Sequence, residues 1–187
     1  MISKGISDYT IIESDLKYEG RVLNLRVDQV RFPNDMVFLR EVVEHDGAVG
    51  IVPICGDGKV ILVRQYRHPL GDFLLEIPAG LFEPDESIEE CALRELREET
   101  GAIASKVSKL TEFYTSPGYS NEKLYLFLAL VEERSKSDPE DDELLEIEEI
   151  DLEEAIPMVK KGIICDSKTI IGLCLASDYI DQHKDLL

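Results

Sequence analysis

The chain has 187 residues, 44% of them hydrophobic, which suits one globular domain with a core of its own, or such a domain with a small appendage. Its 39 acidic against 20 basic residues give a formal net charge of −19, which argues against nonspecific binding to nucleic acid or to an anionic membrane. The longest apolar stretch, around Leu124 to Val131, is far short of the roughly 20 residues of a membrane helix, and the opening residues contain no signal-like apolar core.

In chain order, the text from Tyr9 to Val43 is strand-like, broken by a Pro33-Asn34-Asp35 turn, and predicts a small antiparallel β segment over residues 1–43. Residues 44–187 would form the main domain. There, Ala48 to Ile54 and Lys59 to Gln65 read as strands joined by a hairpin at Gly56-Asp57-Gly58. Phe73 to Ile77 is a short strand, and Pro78-Ala79-Gly80 a loop leading to a helix. Ser87 with Glu90 makes a capping box and Gly101 a stop, so the helix spans about 88 to 100. Strands follow over Lys106 to Tyr114 and Lys123 to Glu132, around a Ser116-Pro117-Gly118 loop. An acidic loop from Glu132 to Asp142, a strand from Leu144 to Ile150 and two helices, Leu152 to Lys161 and Asp166 to His183, complete the chain. Ile170, Ile171, Leu173, Cys174 and Leu175 form the predicted inner side of the last helix. Strands with interspersed helices predict an α/β sandwich whose mixed sheet lies between helices. Cys55, Cys91, Cys165 and Cys174 have no paired or metal-type spacing and read as buried thiols in a reducing cytosol.

The first predicted helix carries the chemistry. Arg94, Glu95, Glu98 and Glu99 crowd charge into one and a half turns, and at about 100° per residue Glu95 and Glu99 project among Ile88, Cys91 and Ala92. Two like charges on the apolar side cost several kcal/mol unless a cation or hydrogen-bond donors offset them. Clustered carboxylate oxygens are what hard ions such as Mg²⁺ or Mn²⁺ prefer. The plainer reading of such a string is a salt-bridged helix, with Arg94–Glu98 and Glu90–Arg94 as four-apart pairs.

The stretch from Gly80 to Ala102 resembles the Nudix box: Gly80, Glu86, Arg94, Glu95, Leu96, Glu98, Glu99 and Gly101 all fall at the required spacing, and only Ala102 is smaller than the usual last residue. Outside the box, Glu76-Ile77-Pro78-Ala79-Gly80, Ser116-Pro117-Gly118 with Glu122, and Asp166-Ser167-Lys168-Thr169 resemble the ADP-ribose pyrophosphatase branch. The resemblance implies the Nudix fold, an α/β/α sandwich, with the N-terminal segment forming an intertwined homodimer. It also implies Mg²⁺-dependent, or Mn²⁺-dependent, hydrolysis of the diphosphate of ADP-ribose to AMP and ribose 5-phosphate. The alternatives are another nucleoside diphosphate sugar, such as GDP-mannose or ADP-glucose, and a non-catalytic Nudix-like regulator that binds nucleotides.

The expected metal ligands are Glu95 and Glu99, with the Ala79 carbonyl completing the set and Glu98 at its edge. Arg94 belongs to the catalytic set by orienting these glutamates, and Glu86 supports the helix entrance. By the resemblance, a carboxylate of the acidic loop acts as general base. Counting back from the next strand favours Glu140, with Asp142 near the metal and Glu143 as a competitor for base. Arg40, Glu41, Arg64, Arg67 and Gly118 are the expected substrate-binding residues; the resemblance implies that Arg40 and Glu41 reach in from the partner subunit, while surface charge is the plainer reading of each arginine.

Overall fold

The protein is described here by a computed structural model covering residues 9–137 and 145–183. It divides into two compact units: residues up to Gly47 with Tyr114–Lys123, and Ala48–Phe113 with the chain from Leu124 onward.

The first unit is a three-stranded antiparallel meander of β1 (Thr10–Glu19), β2 (Asn24–Arg31) and β3 (Val37–Glu44), ordered β1-β2-β3. Within it Asp28 is buried, accepting from Ser14 Oγ at 2.7 Å and pairing with Arg26 at 2.9 Å. The 116–120 turn is closed by Ser116 O, which accepts from Tyr119 N at 3.1 Å and Ser120 N at 2.9 Å.

The second unit is built on a mixed seven-stranded sheet. Its strands are β4 (Ala48–Ile54), β5 (Lys59–Arg67), β6 (Asp72–Glu76), β7 (Ala79–Leu81), β8 (Ala102–Tyr114), β9 (Lys123–Arg134) and β10 (Leu145–Asp151). The order is β10-β5-β4-β9-β8, with β6 on β5 and β7 on β4; β4 and β9 run parallel. Side-chain alternation sorts the core onto two faces. Val49, Ile51, Ile61, Phe127 and Ala129 pack with Cys91, Ala92 and Leu96 of α1 (Ile88–Thr100). Val52, Ile54, Leu62, Leu126 and Leu128 pack with Leu152 and Ala155 of α2 (Leu152–Lys160) and Leu173 and Ala176 of α3 (Ser167–Gln182). This is the expected sandwich, with a sheet covered by helices on both faces.

The structure corrects several local expectations. Ala79–Leu81 is a strand rather than a loop, paired with Ala48–Gly50, and β8 begins four residues before its predicted start. On α3, Cys174 is exposed, while Lys168, Thr169, Gly172, Leu173 and Ala176 are buried. Of the four thiols only Cys91 is buried; Cys165 and Cys174 are exposed and Cys55 is intermediate. Among the described residues no helix is long and apolar enough to cross a membrane.

Candidate active site

Helix α1 is locked at both ends. Ser87 Oγ accepts from Glu90 N at 3.2 Å while Glu90 Oε2 accepts from Ser87 N at 2.8 Å, the reciprocal capping box that the sequence predicts. Glu90 is thereby turned back to the cap, and Arg94 takes other partners than the predicted one four residues before it. At the far end Gly101 adopts φ 69° and its N–H reaches Arg97 O at 2.8 Å. Between these ends the buried face comprises Cys91, Ala92, Glu95, Leu96, Glu99 and Thr100. The two glutamates do lie on the core side, with Glu95 9% and Glu99 2% exposed.

Backbone from β7 lies directly against them. The Ala79 N–H donates to Glu99 Oε2 at 3.3 Å, and Pro78 O accepts from Ile51 N at 3.0 Å. Gly80 is where Glu95 fits: a Cβ there would stand 1.8 Å from Glu95 Oε1. Only a glycine lets the carboxylate lie so close to the strand.

Arg94 ties the surroundings together. Its guanidinium donates to Glu86 at 2.8 Å (Nη2) and 3.1 Å (Nε), to Glu95 at 2.8 Å, to Glu98 at 3.1 Å and to Leu81 O at 2.9 Å. Arg94 bonding holds the Glu86 carboxyl down at about 2. The same contacts, led by that to Glu86, raise Arg94 further above its usual range. Burial, then hydrogen bonding with Glu86, pushes the Cys91 thiol up, so Cys91 is a core residue and not a nucleophile. Glu95 and Glu98 turn to Arg94, and among the described residues no three His, Cys, Asp or Glu side chains are already arranged to hold a metal ion. The donor chemistry still fits a hard divalent cation: two carboxylates one helical turn apart on a buried face, beside a glycine that leaves them room.

A NUDIX domain model matches residues 44–170 of this chain. The chain belongs to the Nudix family. Across 174 residues it is 41% identical to an ADP-ribose pyrophosphatase of Bacillus subtilis, covering 91% of this chain and 92% of that protein. It is also 39% identical over 164 residues to a methanol dehydrogenase activator of Bacillus methanolicus, covering 87% and 89%. A crystal structure described as an ADP compounds hydrolase superposes with a TM-score of 0.86 at 24% identity, over 97% of this chain and 98% of that one, and it shares the Nudix fold.

Around the Nudix helix the predicted arginines separate. Three apart on β5, Arg64 and Arg67 leave from opposite faces of the strand. Arg64 Nε donates to Glu148 of β10 at 2.7 Å, so it is engaged in a strand-to-strand pair. Arg67 instead grips Glu76 at the end of β6, with Nε on Oε1 at 2.8 Å and Nη2 on Oε2 at 2.6 Å. That hydrogen bonding raises the Arg67 pKa against the opposing effect of burial, and the charges of Glu76, Asp166 and Glu99 add to it. Arg67 therefore lies within electrostatic reach of the Nudix glutamate Glu99.

Arg40, Glu41 and Gly118 belong to the first unit. Arg40 is exposed on β3, its guanidinium 5.1 Å from the centroid of the Phe32 ring and 5.5 Å from that of Phe38, with Nη1 on Leu39 O at 2.8 Å. Glu41 is exposed on the same strand opposite Val27, and Gly118 is exposed in the 116–120 turn. Glu140, Asp142 and Glu143 lie outside the described residues.

Sequence reasoning gave no role to Glu76 or Lys168. Glu76 is 1% exposed, and Lys168 Nζ joins Arg67 on its carboxylate. Burial pushes the Glu76 carboxyl up, but the Arg67 bonds and the Lys168 charge outweigh it and leave it below its ordinary value. The available signal was a carboxylate ending the apolar run Phe73-Leu74-Leu75, since a charge buried there requires a cation.

Proposed function

We propose that this Nudix protein hydrolyses the diphosphate of ADP-ribose, releasing AMP and ribose 5-phosphate. The observation that carries the reading is the buried Glu95–Glu99 pair on one face of α1, with Gly80 leaving space for Glu95 and the Ala79 amide on Glu99. Glu95 and Glu99 would hold the divalent ion, Mg²⁺ or Mn²⁺, with Glu98, the Ala79 carbonyl and Asp142 as further ligands. When bound, that ion supplies charge neutralisation at the phosphoryl oxygens and lowers the pKa of a water.

The protein's own groups do the rest. Arg94 holds Glu95 and Glu98 in place and keeps Glu86 ionised at the helix entrance. Arg67 offers a guanidinium to the diphosphate, and Arg64, on the opposite face of β5, is the weaker candidate for that role. Glu140, with Glu143 as competitor, accepts the proton of the attacking water. Water then adds to one phosphorus as the bridging P–O bond breaks, and each product leaves as a monophosphate.

The reading extends to residues 44–187 as the catalytic domain, with residues 1–43 serving homodimer formation and presenting Arg40 and Glu41 to the partner's substrate, alongside Gly118. A cytoplasmic location accords with the acidic composition and the unpaired spacing of the thiols. A second reading, binding and regulation without turnover, draws on the relative described as an activator. The complete set of Arg94, Glu95, Glu98 and Glu99 favours catalysis, because a binding module has no use for all four.

Incubation with Mg²⁺ and a panel of ADP-ribose, ADP-glucose, GDP-mannose and nucleoside triphosphates, with products identified, tests the proposal. ADP-ribose should give the highest kcat/KM. A higher value for GDP-mannose would reassign the substrate, and no turnover of any diphosphate would refute the enzyme.

A further inference from the structure

The most enclosed ionic cluster among the described residues outside the Nudix helix is centred on Glu76. Its carboxylate carries two cations. Arg67 approaches with its Nε and Nη2 edge, at 2.8 and 2.6 Å, and Lys168 Nζ reaches Oε2. Lys168 is itself buried and reaches Asp166 Oδ2 at 3.1 Å. That oxygen caps α3, accepting from Thr169 N at 2.9 Å and Thr169 Oγ1 at 2.6 Å. Thr169 Oγ1 in turn accepts from Ile77 N at 2.9 Å. The α3 N-terminus thus clamps the segment that runs from Glu76 to Ala79, whose amide lies on Glu99.

Two cations and two carboxylates make the cluster neutral, but the charge is unevenly enclosed. The Glu76 side chain is 1% exposed and Lys168 10%, whereas Arg67 is 38% exposed. Arg67 is held by one edge, and neither of those bonds uses Nη1. A planar guanidinium fixed along its Nε/Nη2 edge presents its terminal Nη1/Nη2 edge in a set plane, which is the geometry that phosphate oxygens require.

We infer that Glu76, supported by Lys168, is a positioning residue that fixes Arg67 so that its outer edge meets the diphosphate oxygens of a nucleoside diphosphate sugar. The inference rests on the reading of the site as a diphosphate site. It goes beyond that reading in assigning specificity for the diphosphate to a buried residue that touches no substrate.

The test is binding of an ADP-ribose analogue with a methylene bridge between the phosphates, measured by calorimetry with Mg²⁺ present. Four proteins are compared: wild type, Glu76→Gln, Arg67→Lys and the double variant. Glu76→Gln should weaken binding roughly tenfold or more. In the Arg67→Lys background the same change should add less than about twofold, because its effect runs through Arg67. Mn²⁺ affinity read by electron paramagnetic resonance should stay within about twofold of wild type in all four, since Glu95 and Glu99 are untouched. An equal loss in both backgrounds, unchanged binding in Glu76→Gln, or a wild type that does not bind the analogue would overturn the inference. Should Glu76→Gln not fold, Glu76→Asp keeps the charge and the Lys168 pair but withdraws the carboxylate by one methylene, and the same non-additive loss is expected. A wild type that binds the analogue yet turns over no diphosphate would sink the hydrolase reading and leave the positioning role standing.

Discussion

Glu95 lies between a cation and a strand: Arg94 donates to it at 2.8 Å, and its carboxylate occupies the space that a side chain at position 80 would fill. Gly80→Ala therefore tests the site without touching a charge. The added Cβ would stand 1.8 Å from Glu95 Oε1, and that neighbour is the end of a side chain that can swing away, so the fold should survive with a melting temperature within a few degrees of wild type. The displaced carboxylate should lower kcat by about 10- to 100-fold. Undiminished kcat would show that the position of Glu95 is irrelevant to turnover. The two helix glutamates were legible in the sequence because 3.6-residue periodicity alone places them with Cys91 and Ala92. The pairing of Glu76 with Lys168 was not, because they are 92 residues apart and only the packing of α3 on the sheet joins them.

Helix α1 is an element whose bounds local chemistry determines. Its capping box and its glycine stop act within a few residues, and the predicted span of 88 to 100 coincides with Ile88–Thr100. The strand β7 was hidden for the opposite reason: Ala79-Gly80-Leu81 after a proline reads as a loop, and only pairing with Ala48–Gly50 makes it a strand. Arg94 straps the Glu83–Glu86 segment to the helix through Glu86. Because the folded Glu86 carboxyl is depressed to about 2 from an ordinary value of about 4.3, its contribution to stability is present above the unfolded value and lost as pH falls through the folded one. Urea unfolding of wild type and Glu86→Gln should therefore differ most above about pH 5 and converge as pH falls toward about 2. A difference that stays constant over that window would mean that the strap contributes nothing through its charge.

At the scale of the molecule, a chain of net charge −19 is proposed to take a polyanionic substrate, and the cations that make this possible are local. Arg94 answers the helix glutamates, Arg67 and Lys168 answer Glu76, and a divalent ion would answer the buried Glu95–Glu99 pair. The family and fold are those the box implied, whereas the general base was never legible to better than a residue or two, because loop length blurs the count from Glu140 to Glu143. Under the proposed function, the buried face of α1 carries metal-dependent diphosphate hydrolysis. Steady-state hydrolysis of ADP-ribose under saturating Mg²⁺, compared between wild type and Glu99→Gln with thermal unfolding followed in parallel, decides it. Wild type should give AMP and ribose 5-phosphate, and the variant should lose at least about a hundredfold in kcat/KM with little change in melting temperature. A folded Glu99→Gln protein that hydrolyses ADP-ribose at the wild-type rate would contradict it.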